Sequence, residues 1–518
     1  MLTTFPVKSK GITVTSIERR ATITWWFLFL GLLGVTGMVG LFMLQRGPDP
    51  AMLGWFCYLT GLGLILYQPR YGVYMILGLT LVGDATLSYW YPFVKNFSSA
   101  ESLLYLNGSV IVSPAETYIA LTLLSWLGRG VIQRKIDWYT GSLFWPAMVF
   151  IGFITFGLGY GILRGGSLNT GLWEARPIYY LPAMLILTSN LIRTREQVSK
   201  LIWIAMIGIF IDGISGTLFV INTLQFQLST VDRIAEHSAS IHANTFFVLL
   251  ISAWMFRASY ARRLIMPVML PVIALSYLAN QRRAAFITLA IAIVLMLAIL
   301  YWENRQAFWL ITPVLAVAGM AYLAIFWNSS GTLGMFASAI KSVVAQDASN
   351  AADQSSNLYR LIENTNTKFT IKNAPLTGVG FGNKFFIIWP MPDISFFVWW
   401  EYIVHNSVMW IWMKAGIGGF LSMIFLVGST IMVGVQAYQR MPGGDLRAIA
   451  LMATLYIIMH FVYAYVDMSW DNQSMIYVGT MMGLINRLEQ IVATPVLLPC
   501  KRWPWQSDPV PVPGLRPL

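Results

Sequence analysis

Apolar residues in this chain run in long blocks rather than alternating with polar ones, and the blocks are closed by Pro, Gly and charged residues. A helix crossing the hydrocarbon core of a bilayer needs about 20 such residues at about 1.5 Å each, so the pattern predicts membrane-spanning helices. They fall at 25–44, 51–67, 71–90, 113–127, 143–163, 177–192, 201–221, 243–256, 264–279, 284–301, 308–327, 416–437, 448–466 and 474–486. The short runs at 243–256 and 474–486 are expected to be tilted, broken or half-buried helices. The fold class expected is all-α, a polytopic membrane protein with about 14 transmembrane helices and one large outer loop.

The parts expected are a cytoplasmic N-terminal segment over 1–24, transmembrane helices 1–11 over 25–327, the outer loop over 328–415, transmembrane helices 12–14 over 416–486, and a cytoplasmic Pro-rich tail over 487–518. The first apolar run is longer than a signal-peptide core, and no small-residue cleavage site follows it. It is therefore read as a retained helix. Within the outer loop, Asn357–Lys372 is expected to form a surface helix that Pro375 breaks. Gly378, Gly380 and Gly382 then form a turn before an aromatic run from Phe385 to Tyr402.

Composition supports this picture. Of the 518 residues, 57% are hydrophobic and 11% charged, far from the roughly 25% charged of a soluble domain. That excludes a soluble multidomain enzyme. Two cysteines, Cys57 and Cys500, exclude a disulfide framework or a zinc cluster. The net charge of +12 does not gather into a stripe, so no nucleic-acid partner is expected. Loops assigned to the cytoplasm hold 21 of the 34 basic residues, in keeping with the positive-inside rule.

Ionisable residues that topology places on the outer face are candidates for chemistry, because a membrane makes them costly. Arg282 and Arg283 sit back to back between two apolar runs; they either snorkel to the interface or present two guanidinium forks to a diphosphate. Arg176 and Arg233 are further outer arginines, each with a local ion-pair reading: Arg176 with Glu174, and Arg233 with Asp232 or Glu236. Three of the four histidines, His237, His242 and His405, are also expected outside. None has metal-ligand spacing, so no metal is expected. His405, followed by Asn406 and a helical run, suits a general base for an acceptor arriving from outside. Trp389, Trp399, Trp400 and Tyr402 either stack on sugars or belong to an aromatic belt.

The ordered set of these motifs resembles the bacterial O-antigen ligase and polymerase superfamily. His405-Asn406 with the Gly416-Ile417-Gly418 turn is similar to its C-terminal signature. Pro375 through Asn383 resembles its proline and glycine motif, with Arg360 at the place of its loop arginine. His242-Ala243-Asn244 and Gln281-Arg282-Arg283-Ala284-Ala285 resemble two further segments. Ala243 replaces a proline, Asn364 stands where an aromatic is usual, and either Arg282 or Arg283 fits the family arginine. The resemblance spans about residues 160–437.

It implies a membrane-embedded glycosyltransferase of the GT-C type, inverting and independent of metal or other cofactor. The enzyme would move a glycan from a polyprenyl diphosphate carrier to an acceptor hydroxyl on the periplasmic face of the cytoplasmic membrane. His405 would be the base. Arg282, Arg283, Arg360, Arg176 and Arg233 would bind the diphosphate, and Asn406, Gly378, Gly380, Gly382, His242 and Asn244 would support the motifs. The acceptor would be the lipid A–core (a ligase), a lipid-linked glycan (a polymerase) or a protein. A transporter or lipid-glycan flippase is the competing class, but it should carry midplane charges or an internal repeat.

Overall fold

The computed structural model describes residues 50–493, apart from 84–92, 94, 101, 135, 228–233, most of 330–350, and 393–396; a few positions between 30 and 38 are also described. Most of the expected first span, the N-terminal segment and, of the expected tail, residues 494–518 lie outside these residues.

The regular structure of the described residues is helical, with no strand among them. The helices are α1 (Pro50–Tyr67), α2 (Arg70–Val82), α3 (Pro114–Ile132), α4 (Phe144–Leu163), α5 (Leu168–Leu191), α6 (Arg195–Asn222), α7 (His237–Met255), α8 (Tyr260–Ala279), α9 (Arg283–Glu303), α10 (Arg305–Phe326), α11 (Ala351–Asn373), α12 (Ser407–Arg440), α13 (Asp445–Val466) and α14 (Asn472–Ala493). Their starts are marked in the sequence. Ser113 with Glu116 and Thr194 with Gln197 close capping boxes on α3 and α6, satisfying first-turn N–H groups that would otherwise be orphaned.

Among the described residues, eight helices are long and apolar enough to cross a membrane: α4, α6, α7, α8, α9, α10, α12 and α13. The count of about 14 is therefore an expectation beyond what length and hydropathy establish. Helix α14 shows why. Its buried face carries Gln473, Ser474, Thr480 and Asn486, which lower its hydropathy but are satisfied by neighbours. Asn486 Nδ2 donates to Thr140 O and Ser189 Oγ at 3.0 and 3.1 Å, and its Oδ1 accepts from Leu143 N. Interhelical hydrogen bonds of this kind let polar side chains sit inside a bundle. For the same reason the two short runs are full-length helices, α7 and α14. The most central of the eight is α13, with 72% of its apolar window buried, whereas α10 has none and lies at the edge against α9.

The expected boundary at residue 416 moves. Helix α12 starts at Ser407 and runs to Arg440, interrupted by Gly416 at φ 68°, ψ −170°. The Gly416 region is therefore a break inside a long helix, not a turn ahead of one. Lys414, within the stretch 328–415 expected as the outer loop, is fully buried and ion-paired with Glu174 of α5 at 2.7 Å.

Candidate active site

Helix α11, the expected surface helix, presents Tyr359, Glu363, Asn366 and Thr370 along one face at helical spacing. Asn366 Oδ1 accepts from the Ile388 and Trp389 backbone N–H groups, and Thr370 Oγ1 accepts from Phe386 N. These bonds lay the aromatic run against α11. One turn earlier on that face, buried Glu363 receives His405: the backbone N–H donates to Oε2 at 2.8 Å, and Nδ1 lies 3.1 Å from the same oxygen. Tyr359 packs edge-on against the ring at 5.5 Å. Burial, reinforced by the Glu363 carboxylate, pushes the Tyr359 phenol up.

A second histidine–carboxylate pair adjoins the first. His237, the first residue of α7, places Nδ1 3.1 Å from both oxygens of Asp467, which follows α13. Arg360 approaches Asp467 Oδ2 at 3.9 Å. Burial alone would raise the Asp467 carboxyl, but the charges of His237, Arg360 and His405 outweigh it and hold the group below its usual range. Tyr463 donates to His237 O at 2.7 Å and reaches Asp467 Oδ2 at 3.3 Å. Ser407 Oγ donates to Asp467 O, and its own carbonyl accepts from the Trp470 indole. The start of α12 and the α13–α14 turn are thus tied together beside His405.

Arg282 is the N-cap residue of α9 and acts electrostatically on Tyr463. Its placement is set by the preceding turn. Asn280 Oδ1 accepts from Ala235 N at 2.9 Å and its Nδ2 donates to Ser240 Oγ at 2.8 Å, while Gln281 adopts φ 51°. Asn244 ties α7 to the first turn of α9 through Ala285 O at 2.9 Å and Thr288 Oγ1 at 3.1 Å. A cation at the positive end of a helix is electrostatically unfavourable. Even so, Arg282 Nε and Nη2 and Arg360 Nε are buried without a hydrogen-bond partner among the described residues.

The glycine motif does structural work. Gly378, Gly380 and Gly382 all have positive φ, at 70°, 84° and 82°, conformations that L side chains rarely adopt. A Cβ on Gly380 would collide with Gly161 at the α4–α5 corner, and one on Gly416 with the Leu376 carbonyl. Val379 N donates to Met413 O, Gly382 N to Glu174 Oε2 at 2.6 Å, and Lys414 Nζ to Asn383 O at 2.6 Å. The segment clamps the broken helix α12 to α5 around the buried Glu174–Lys414 pair. Asn406 caps α12 by accepting from Met409 N at 2.9 Å.

Several expected residues stand elsewhere. Arg176 lies inside α5, and its partners are Glu116 at 3.1 Å and Asn96 at 2.8 Å, not Glu174. Glu174, two residues earlier, is taken instead by Lys414. His242, expected on the outer face, is buried within α7 edge-on to Tyr477 at 5.4 Å. Arg283 opens α9. Arg233 lies outside the described residues. Sequence reading missed Glu363 as an orienting group, and it missed Asp467 and Asn280. The signal available for Glu363 was its position three residues after Arg360 on a helix that carries another motif residue.

Residues 268–424 match the family model described as O-antigen ligase. The match supports the O-antigen ligase and polymerase family of membrane enzymes, and its segment includes Arg282, Arg360, Glu363 and His405. His237, Asp467 and Glu174 come from outside it. No curated protein matches the chain.

Proposed function

We propose that the chain is an O-antigen ligase-like glycosyltransferase, inverting and metal-independent, acting at the periplasmic face of the bacterial cytoplasmic membrane. It would transfer a glycan from a polyprenyl diphosphate carrier to an acceptor hydroxyl. The observation that carries this reading is the His405–Glu363 pair standing in one cluster with arginines that have unused donors. Glu363 holds Nδ1–H, so Nε2 is the nitrogen that takes the acceptor proton. The freed oxygen attacks the anomeric carbon opposite the diphosphate, and the bond from that carbon to the diphosphate oxygen breaks with inversion. Arg360 and Arg282 meet the charge developing on the departing diphosphate, Arg282 through its unused Nε and Nη2 donors and Arg360 through Nε. Of the two adjacent arginines, Arg282 is the better binder on this ground. Arg176, held by Glu116 and Asn96, is not needed for it.

A polymerase or a protein O-oligosaccharyltransferase would share every step up to the acceptor. Purified enzyme in nanodiscs, given lipid-diphosphate glycan and in turn lipid A–core, a second lipid-linked glycan or a protein acceptor, separates the three. Product from lipid A–core alone identifies a ligase, and no transfer to any of them overturns the glycosyltransferase reading.

A further inference from the structure

A cavity of about 740 Å3 adjoins the cluster, within the ~300–1,000 Å3 typical of small-ligand sites. It opens where the α2–α3 loop at Ser99, the first turns of α5 and α7, the approach to α12 and the α13–α14 turn converge. His237 joins it to the active site: its ring is part of the wall, while Nδ1 meets Asp467, which in turn meets Arg360. Val404 and Ser407, on either side of His405-Asn406 in the chain, also line it.

The wall sets flat apolar surfaces among polar and ionisable groups, Lys95, Glu236 and Asp471 among them. The indoles of Trp173 and Trp399 stack 4.3 Å apart, and Trp470 adds another aromatic face. Ser99, Asn472 and Asp471 supply polar atoms between them. Arg176 is already engaged by Glu116 and Asn96, and the Asp471 carboxylate accepts from Ser474 N and Oγ, each at 2.8 Å. Such a wall fits a ligand with apolar C–H faces to lie on the indoles and hydroxyl edges to meet the polar groups between them.

The geometry points to a saccharide site in this cavity, holding sugar rings beside the one that reacts, with Trp173, Trp399, Trp470 and Ser99 as its contacts. This rests on the glycosyltransferase reading above. Trp173, Trp470 and Ser99 lie outside residues 268–424, so the surface that selects the sugar is built largely by the chain around the family segment.

The test uses Ser99→Cys in full-length protein with Cys57→Ser and Cys500→Ser, purified in nanodiscs, and follows the rate of maleimide modification. Three probes are compared: oligosaccharides released from the source cells' surface polysaccharide, the lipid-diphosphate-linked glycan, and sugar-free polyprenyl diphosphate. A slowing of about fivefold or more by the free oligosaccharide supports the site and assigns it to the acceptor glycan. Slowing by the lipid-linked glycan alone supports it and assigns it to the donor. No slowing by any probe, or equal slowing by sugar-free polyprenyl diphosphate, overturns it. In the transfer assay, Ser99→Trp should raise KM for the same glycan about tenfold with kcat little changed, the mark of lost uniform binding. Protection needs no turnover, so failure of the glycosyltransferase reading would leave it intact, and failure of the cavity would leave wild-type transfer intact.

Discussion

His405 and Glu363 are 42 positions apart in the chain, and the pair is the candidate base. His405→Ala should abolish transfer while the protein inserts at normal abundance, as judged by whole-cell glycan analysis and immunoblot. Glu363→Gln keeps the shape but loses the charge that favours protonated imidazole, and should lower kcat by about 10²–10³-fold; unchanged kcat would remove Glu363 from the base. Arg282→Lys and Arg360→Lys keep charge but lose the fork, and each should cost most of the activity, with Arg283→Lys tolerated. EDTA should leave purified enzyme active; restoration by magnesium after EDTA inactivation would instead point to carboxylate ligands. Asp467 has a depressed folded-state value, so the stability it contributes is present above the unfolded carboxyl range near ~4 and is lost as pH falls through its lower folded value. Wild-type thermal stability should therefore drop on acidification below about pH 4 more than that of Asp467→Asn, in thermal scans across pH. Of these residues, His405, Arg360 and the Arg282/Arg283 pair were legible in the sequence because each stands in a short motif. Asp467 and Glu363 were not, since a lone carboxylate declares a role only when its partners arrive from other helices.

At the scale of elements, the broken helix α12 positions His405, and the glycine motif holds the break. Gly380→Ala and Gly416→Ala place a Cβ against backbone at positive φ, so both should reduce folded protein, measured as detergent-resistant monodisperse material, by more than the roughly 1 kcal/mol of an ordinary helical glycine change. The Glu174–Lys414 pair makes a sharper test. Replacing one partner leaves a buried charge and should cost about 3–5 kcal/mol, whereas Glu174→Leu with Lys414→Met together should recover much of the loss. Equal damage from the single and double changes would mean that the hydrogen bonds to Gly382 and Asn383, not the ion pairing, hold the clamp. The sequence pointed to a turn at Gly378–Gly382, and the positive φ values agree. It pointed to another at Gly416, where the structure has a helix break, because a Gly-Ile-Gly-Gly string reads the same whether the chain turns or merely kinks.

For the whole molecule, orientation remains to be measured. A cysteine at Lys372 should label with a membrane-impermeant thiol reagent in intact spheroplasts and one at Gln133 should not, in a chain cleared of Cys57 and Cys500; the reverse pattern would put the proposed chemistry in the cytoplasm. Hydropathy alone determined that this is an all-helical membrane protein, because a bilayer imposes the same length and apolarity on every helix that faces lipid. Motif order pointed to a family resemblance, and the match over residues 268–424 agrees with it. The tertiary structure decided which polar residues meet: that Arg176 pairs with Glu116, that Lys414 is buried on Glu174, that His242 is enclosed, and that His237 and Asp467 join His405 and Arg360. Those outcomes depend on which faces of distant helices pack together. Periodicity along one segment carries that information only as a buried stripe, never as the identity of the partner that fills it.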